Sequence, residues 1–360
     1  VDEMTNVEQT TPGEESETPA CEDHRSVRVF WRRLLAFAID SLFLGLLGAV
    51  CGLFLFNFLV HLGPWGRLVG FGIALVYFGL LDSAVGGGQT FGKRVMGIEV
   101  VDRKGRHIAL WRSALRYSIL GIPFFLNAAM IPPDVAMSPA GYVISFLIFG
   151  LGGGIVYLLV FNRRTRQGLH DLATGSFVTR ISPPGEVAGS IWRVHFAVLG
   201  ILCVGMIGLS IGMRGLTRHG VFPGLFRVQR AIQASGKVYT ETVFVGKSWS
   251  HTSGSWKTTS YFSTNAMWKK KPEDINAAAG TVASIVLKNF PGIMDEDILV
   301  VNVTYGYDIG ISSGWVSRRF SDDPLTWKVR LEKEPGKLRH VQPRLRLWTQ
   351  PFKFDVPKSP

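Results

Sequence analysis

Long apolar runs separated by short basic segments fill residues 34–212, and beyond them the chain turns to alternating and amphipathic patterns. Runs of roughly 17–25 apolar residues suffice to cross a bilayer as helices, which predicts five spans near 34–60, 67–85, 115–131, 140–161 and 194–212. Pro123 and Asn127 interrupt the third and Pro132-Pro133 end it, so a re-entrant or interfacial helix is its alternative. From Arg214 onward the pattern is that of a water-soluble domain. Phe222 to Ala234 predicts a short juxtamembrane helix, and residues 238–246 and 256–262 alternate as strands do. Glu273 to Phe290 has its apolar residues at helical spacing, with Pro272 before it and Pro291-Gly292 after it. Leu299–Asp308, Trp315–Phe320 and Thr326–Leu331 complete the expected antiparallel sheet.

The predicted fold class is therefore an all-α transmembrane bundle followed by a small α+β domain. Its parts are a tail over 1–24, a four-span domain over 25–190, a fifth span within 191–213, an exterior domain over 214–334 and an extended tail over 335–360.

Composition agrees with a membrane protein. Hydrophobic residues make up 47% of the 360 and charged residues only 18%, against about 25% in soluble domains. Residues 1–24 carry eight acidic side chains and no Lys or Arg, the wrong chemistry for a secretory signal and suited to a disordered cytoplasmic tail. The net charge is nevertheless +12, because Lys and Arg collect elsewhere. Arg25, Arg28, Arg32 and Arg33 precede the first span, Lys93 to Arg116 fill the second connection, and Arg163 to Arg193 fill the fourth. That asymmetry places the amino terminus in the cytoplasm and, with five spans, the last domain outside. The three cysteines, Cys21, Cys51 and Cys203, give neither a disulfide framework nor a metal spacing.

Asp40 is the informative exception within the first apolar run. A carboxylate there costs roughly 2.5–3.5 kcal/mol on insertion scales, so it needs a partner and a reason. Arg33 is the nearest candidate: seven residues earlier, it shares a helical face with Asp40 about 10 Å nearer the boundary. Asp82 falls at the inner end of the second span.

Three elements now stand together on the cytoplasmic side. They are Trp31-Arg32-Arg33-Leu34-Leu35-Ala36-Phe37-Ala38-Ile39-Asp40, then Gly88-Gln89-Thr90-Phe91-Gly92-Lys93-Arg94-Val95-Met96-Gly97-Ile98-Glu99-Val100-Val101, then Asn162-Arg163-Arg164-Thr165-Arg166-Gln167-Gly168-Leu169-His170-Asp171. In this order they resemble the RDD family of bacterial membrane proteins over about residues 26–180. Arg33 and Asp40 match the family's first-span pair and Asp171 its second aspartate. The resemblance implies a multi-pass protein of the bacterial cytoplasmic membrane, and a few such proteins are described as cation/proton antiporters. The fifth span and the exterior domain lie outside that pattern.

Arg33, Asp40, Asp82, Arg94, His170 and Asp171 can converge at the inner surface, and two readings follow. One is an ion-pair and hydrogen-bond network that locks helix packing; the other is a proton- or cation-binding site centred on Asp40. Gly87 to Lys93 spells G-x-x-x-x-G-K, but Arg94 stands where a phosphate loop needs Ser or Thr and an apolar span precedes it. A glycine-permitted turn is expected instead, followed by a hairpin of Val95–Val101 and Arg106–Leu110. Its Lys93, Arg94, Arg103, Lys104 and Arg106 would meet anionic headgroups of the lipid bilayer.

In the exterior domain, Trp249, Trp256, Tyr261 and Trp268 form either a binding surface for an envelope protein, glycan or anionic polymer, or ordinary cross-strand packing. Lys269-Lys270-Lys271 reads as a solvated turn able to touch anionic lipid or cell-wall polymer. His195, His219, His251 and His340 are isolated and no nucleophile-elbow serine occurs. No enzyme, metal, cofactor or nucleic-acid partner is expected.

Overall fold

A computed structural model describes residues 23–136, 138–181, 190–217, 222–252 and 255–333. The second predicted tail and all of the first but Asp23 and His24, which open the first helix, lie outside these, as does Cys21.

Helix α1 (Asp23–Leu62) and α2 (Gly66–Leu81) form an antiparallel hairpin. The turn between them rests on Gly63, whose φ of 51° a side chain would strain, and on Pro64. A short α3 (Phe91–Met96), strand β1 (Ile98–Asp102) and helix α4 (Leu110–Leu126) follow. Next come α5 (Pro133–Ala136), α6 (Pro139–Ser145), a π-helical stretch (Phe146–Leu151) and α7 (Gly152–Phe161), the last three forming one apolar rod. Helix α8 (Leu169–Thr174) leads into β2 (Ser176–Arg180), and α9 (Val194–Thr217) into the last domain. Two stretches, Val29–Leu81 and Pro139–Phe161, are apolar and long enough to cross a membrane; α9 has a shorter apolar part, Val194–Leu209. The third expected span begins and ends earlier than its apolar run, because Asn127 adopts an extended conformation and stops α4.

The cytoplasm-side hairpin expected over 95–110 is not formed. Asp102–Gly105 does turn, but β1 pairs antiparallel with β2, from Ile98↔Arg180 to Asp102↔Ser176, and meets the returning chain only at Val101↔His107. Residues 91–96 are helical rather than extended because Thr90 caps them, its hydroxyl accepting from Lys93 N.

The last domain comprises α10 (Phe222–Ala234), β3 (Val238–Thr252), β4 (Ser255–Trp268), α11 (Ile275–Asn289), β5 (Ile298–Asp308), β6 (Ser313–Asp322) and α12 (Pro324–Lys333). The sheet order is β3-β4-β5-β6. It is mixed rather than antiparallel, since α11 carries the chain back so that β5 runs parallel to β4. The expected strand at 326–331 is helix α12: Asp323 accepts from Thr326 N as a cap, and Trp327 Nε1 donates to the Leu299 carbonyl at 3.1 Å. Phe262, Leu299, Val301, Val303 and Phe320 on one sheet face pack with Val228, Ile232, Val282, Val286 and Trp327 from the three helices.

This domain is built into the bundle. The β5–β6 tip enters between α1 and α2, where Gly45, Gly48, Gly52, Gly66 and Gly70 leave room for the backbone and side chains of residues 307–312. Ile309 packs with Leu59 and Val60, and Ile311 with Leu44, Ala74, Phe78 and Phe125. Arg67 closes the joint: its guanidinium donates to Asp308 at 2.7 and 3.0 Å and to the carbonyls of Phe125 (3.2 Å) and Asn127 at the end of α4.

Candidate functional site

At the pole opposite that joint, three carboxylates and three cations are buried together. Asp40, on α1, uses both oxygens: Oδ1 accepts from the Tyr77 hydroxyl and Gly92 N, each at 2.7 Å, and Oδ2 from the Thr90 hydroxyl at 2.6 Å. All three donors are neutral, and no ion pair to Asp40 forms among the described residues. The glycine-rich motif serves this contact. A Cβ on Gly92 would run into the Ala36 carbonyl, so only glycine lets α3 press onto α1 closely enough for its amide to reach Asp40.

Asp82 caps the end of α2 and binds Lys93 Nζ together with Arg116 at 2.8 Å. Asp171, on α8, accepts from Arg33 at 2.6 Å, from Arg116 at 2.8 Å and from Gly168 N at 3.1 Å. Arg116 therefore bridges two carboxylates, and Arg33 adds a 2.6 Å bond to the Arg166 carbonyl. The pairing joins α1, α2, α3, α4 and α8 through three cations and two carboxylates, and Asp40 beside them brings the six charges into balance.

Electrostatics follow from burial and pairing. Burial opposes the charged form of Asp171, yet Arg33, His170 and Arg116 outweigh it and hold the carboxyl well below the usual range. Burial pushes Lys93 down, with Asp82 acting against it. Burial also lowers His170 to about 3, leaving a neutral ring whose Nδ1 has no hydrogen-bond partner. The neighbouring cavity, about 270 Å³, is lined by residues such as Phe37, Leu44, Phe78, Tyr117 and Ile155, and by none of the six charged side chains.

Of the residues expected to converge, Arg33, Asp40, Asp82, His170 and Asp171 do so. Arg33 does not pair with Asp40, since two helical turns separate them along α1 and Asp171 lies closer. Arg94 stands apart, exposed and donating to the Gly86 carbonyl at 3.2 Å. Lys93, expected at lipid headgroups, is instead buried on Asp82; Arg103, Lys104 and Arg106 are exposed. Tyr77, Thr90 and Arg116 were not anticipated. Arg116 carried a usable signal, a lone cation at the edge of an apolar run, where the reasoning applied to Asp40 holds equally.

The four aromatics of the sheet domain do not form one surface. Trp249 and Trp256 share a face at the β3–β4 tip, 66% and 74% exposed, with His251 beside Trp256. Trp268 is buried in the core, and Tyr261 packs against Gly246 on the other face.

Residues 27–175, a segment that contains the whole charge network, match the model of the RDD family. No curated protein and no solved structure matches the chain.

Proposed function

We propose that this chain, an RDD-family protein over residues 27–175, is a non-enzymatic multi-pass membrane protein that holds an extracytoplasmic binding domain in fixed orientation. The observation that carries this reading is the seating of the β5–β6 tip among the glycines of α1 and α2, closed by Arg67 and Asp308. A domain tethered by one helix would tumble; one wedged into its bundle cannot. The buried charge network locks the opposite, cytoplasmic pole. Its charges balance and the cavity beside it is apolar, as a structural lock requires. The basic loops near 93–116 and 163–193 support a cytoplasmic network and an exterior sheet domain in the bacterial inner membrane. Trp249 and Trp256 at the far tip offer a surface to an envelope protein, glycan or anionic polymer.

A reporter active only outside the cytoplasm tests the topology. Fused after residue 220 it should be active, and after residue 105 or 180 inactive; a cytoplasmic signal at 220 removes one crossing and the exterior domain with it.

One observation favours a second reading, cation/proton exchange at Asp40. Its buried carboxylate is held by neutral donors alone, so protonation there breaks no ion pair. Sodium- or potassium-driven proton flux in liposomes, lost in a well-folded Asp40→Asn protein, would establish exchange and displace the lock.

A further inference from the structure

At the joint between α1 and the sheet domain lies a second cavity, about 440 Å³, unlike the first in its chemistry. Its wall on α1 is the last turn and a half, Phe56, Asn57, Val60 and His61; its wall on the domain is Tyr305 with Lys270 and Lys271. The His61 Nδ1–H donates to the Asn57 carbonyl at 2.6 Å, which ties the ring to its own helix. The Tyr239 hydroxyl donates to the His61 carbonyl at 3.2 Å and fixes this end of the helix to the domain. The cavity is thus basic along one rim and apolar along the other. Just below it, Leu53, Phe54 and Phe58 project from α1 with 80%, 83% and 62% of their surface exposed, as side chains facing hydrocarbon do.

We infer that this cavity is a binding site for an anionic phospholipid of the outer leaflet, its phosphate held by Lys270 and Lys271 and its chains lying along Leu53, Phe54 and Phe58. The inference rests on the membrane reading above. Charge selects the headgroup: the two ammonium groups attract a net negative lipid and gain nothing from a zwitterion. Position selects a lipid over a free anion, because basic rim and apolar wall are stacked in the order of phosphate and acyl chain. The volume lies within the roughly 300–1,000 Å³ of ordinary ligand pockets. It also gives the Lys269-Lys270-Lys271 run a role that a solvated turn does not need.

Native mass spectrometry of the full chain, released from nanodiscs of equal phosphatidylglycerol and phosphatidylcholine, tests this. The wild-type protein should retain one phosphatidylglycerol in preference to phosphatidylcholine. Lys270→Gln with Lys271→Gln should cut that preference by roughly tenfold or more, each lysine near the surface being worth about a factor of five. Lys247→Gln with Lys257→Gln, the same charge change at the far end of the sheet, should leave it intact. Glycerol phosphate in solution should not compete. Equal retention of both lipids, equal loss in the two double variants, or displacement by glycerol phosphate would each overturn the site while leaving the membrane reading standing. A chain that retains no lipid and stays monomeric without detergent would overturn both. Lys270 and Lys271 are exposed, so their replacement should not alter thermal unfolding, and a shared melting profile will show that the loss is one of binding.

Discussion

The two poles of the bundle are held by opposite means. At the charged pole, directional bonds join five elements, and five ion-paired side chains are held largely away from water. At the other, shape does the work: glycines accept a hairpin tip, and one clamp, Arg67 to Asp308, sits at its edge. The difference predicts how each fails. Losing one partner in a buried network strands another charge, whereas losing a small residue from a packed seat only forces the tip outward.

The largest effect should come from Asp171→Ala, which leaves Arg33 and Arg116 without their shared carboxylate. Removing one partner of a buried pair costs about 3–5 kcal/mol, and thermal unfolding in detergent should show a loss of that size. Gly70→Val comes next. Its side chain would meet the Ile309 backbone carbonyl, and overpacking costs roughly 1–3 kcal/mol. Limited proteolysis in detergent should leave the tip at residues 307–312 protected in the parent and cleave it in this variant. Cleavage there in the parent would show that the tip is not seated. Arg67→Ala follows, with charge-assisted hydrogen bonds worth about 1.5–3 kcal/mol as the ceiling. Retention of parent stability there would assign the joint to packing alone.

The last effects separate bundle from sheet domain by pH, with opposite signs. His170 is held at about 3, below its ordinary 6.5. The folded chain therefore binds fewer protons than the unfolded one between those values, so the pole's stability is full above 6.5 and falls as pH drops toward 3. Asp171, also depressed, extends the loss below the ordinary carboxylate range. Glu241, buried in the sheet domain, is pushed by desolvation to about 8, with the Thr264 hydroxyl acting against it. Its contribution is full below 4.5 and is lost as pH rises through about 8. Glu241→Gln should flatten the alkaline limb and leave the acid limb unchanged; an unaltered alkaline limb would place its origin elsewhere.

Much of the charged pole was legible because membrane energetics make an intramembrane charge conspicuous. Asp40 stood out on that ground, while Asp171 entered through the family resemblance and the glycine motif through its spelling. Their pairing was not legible, since proximity along one helix suggested Arg33 for Asp40 while the true partners come from residues 77 to 92. Lys93 illustrates the same limit: a basic residue in a basic loop looks like a headgroup contact until the turn of α3 carries it inward. In the sheet domain, Leu325, Trp327, Val329 and Leu331 alternate as a strand would, yet Asp323-Pro324 is a helix start. The parallel β4–β5 pair could not be read from strand periodicity, which is the same in either direction. The seat for the hairpin left only scattered glycines, whose purpose lies some 260 residues further along.

That separation has a consequence for biosynthesis. Residues 45–70 leave the ribosome long before residues 307–312 exist, so the helical hairpin must wait with its groove unfilled while most of the chain is made. Contacts so distant in sequence form late, and until they do, the gap between α1 and α2 is exposed to wrong partners. A chain cut short before β5 should therefore be a target for membrane quality control even though every residue of its charged pole is present.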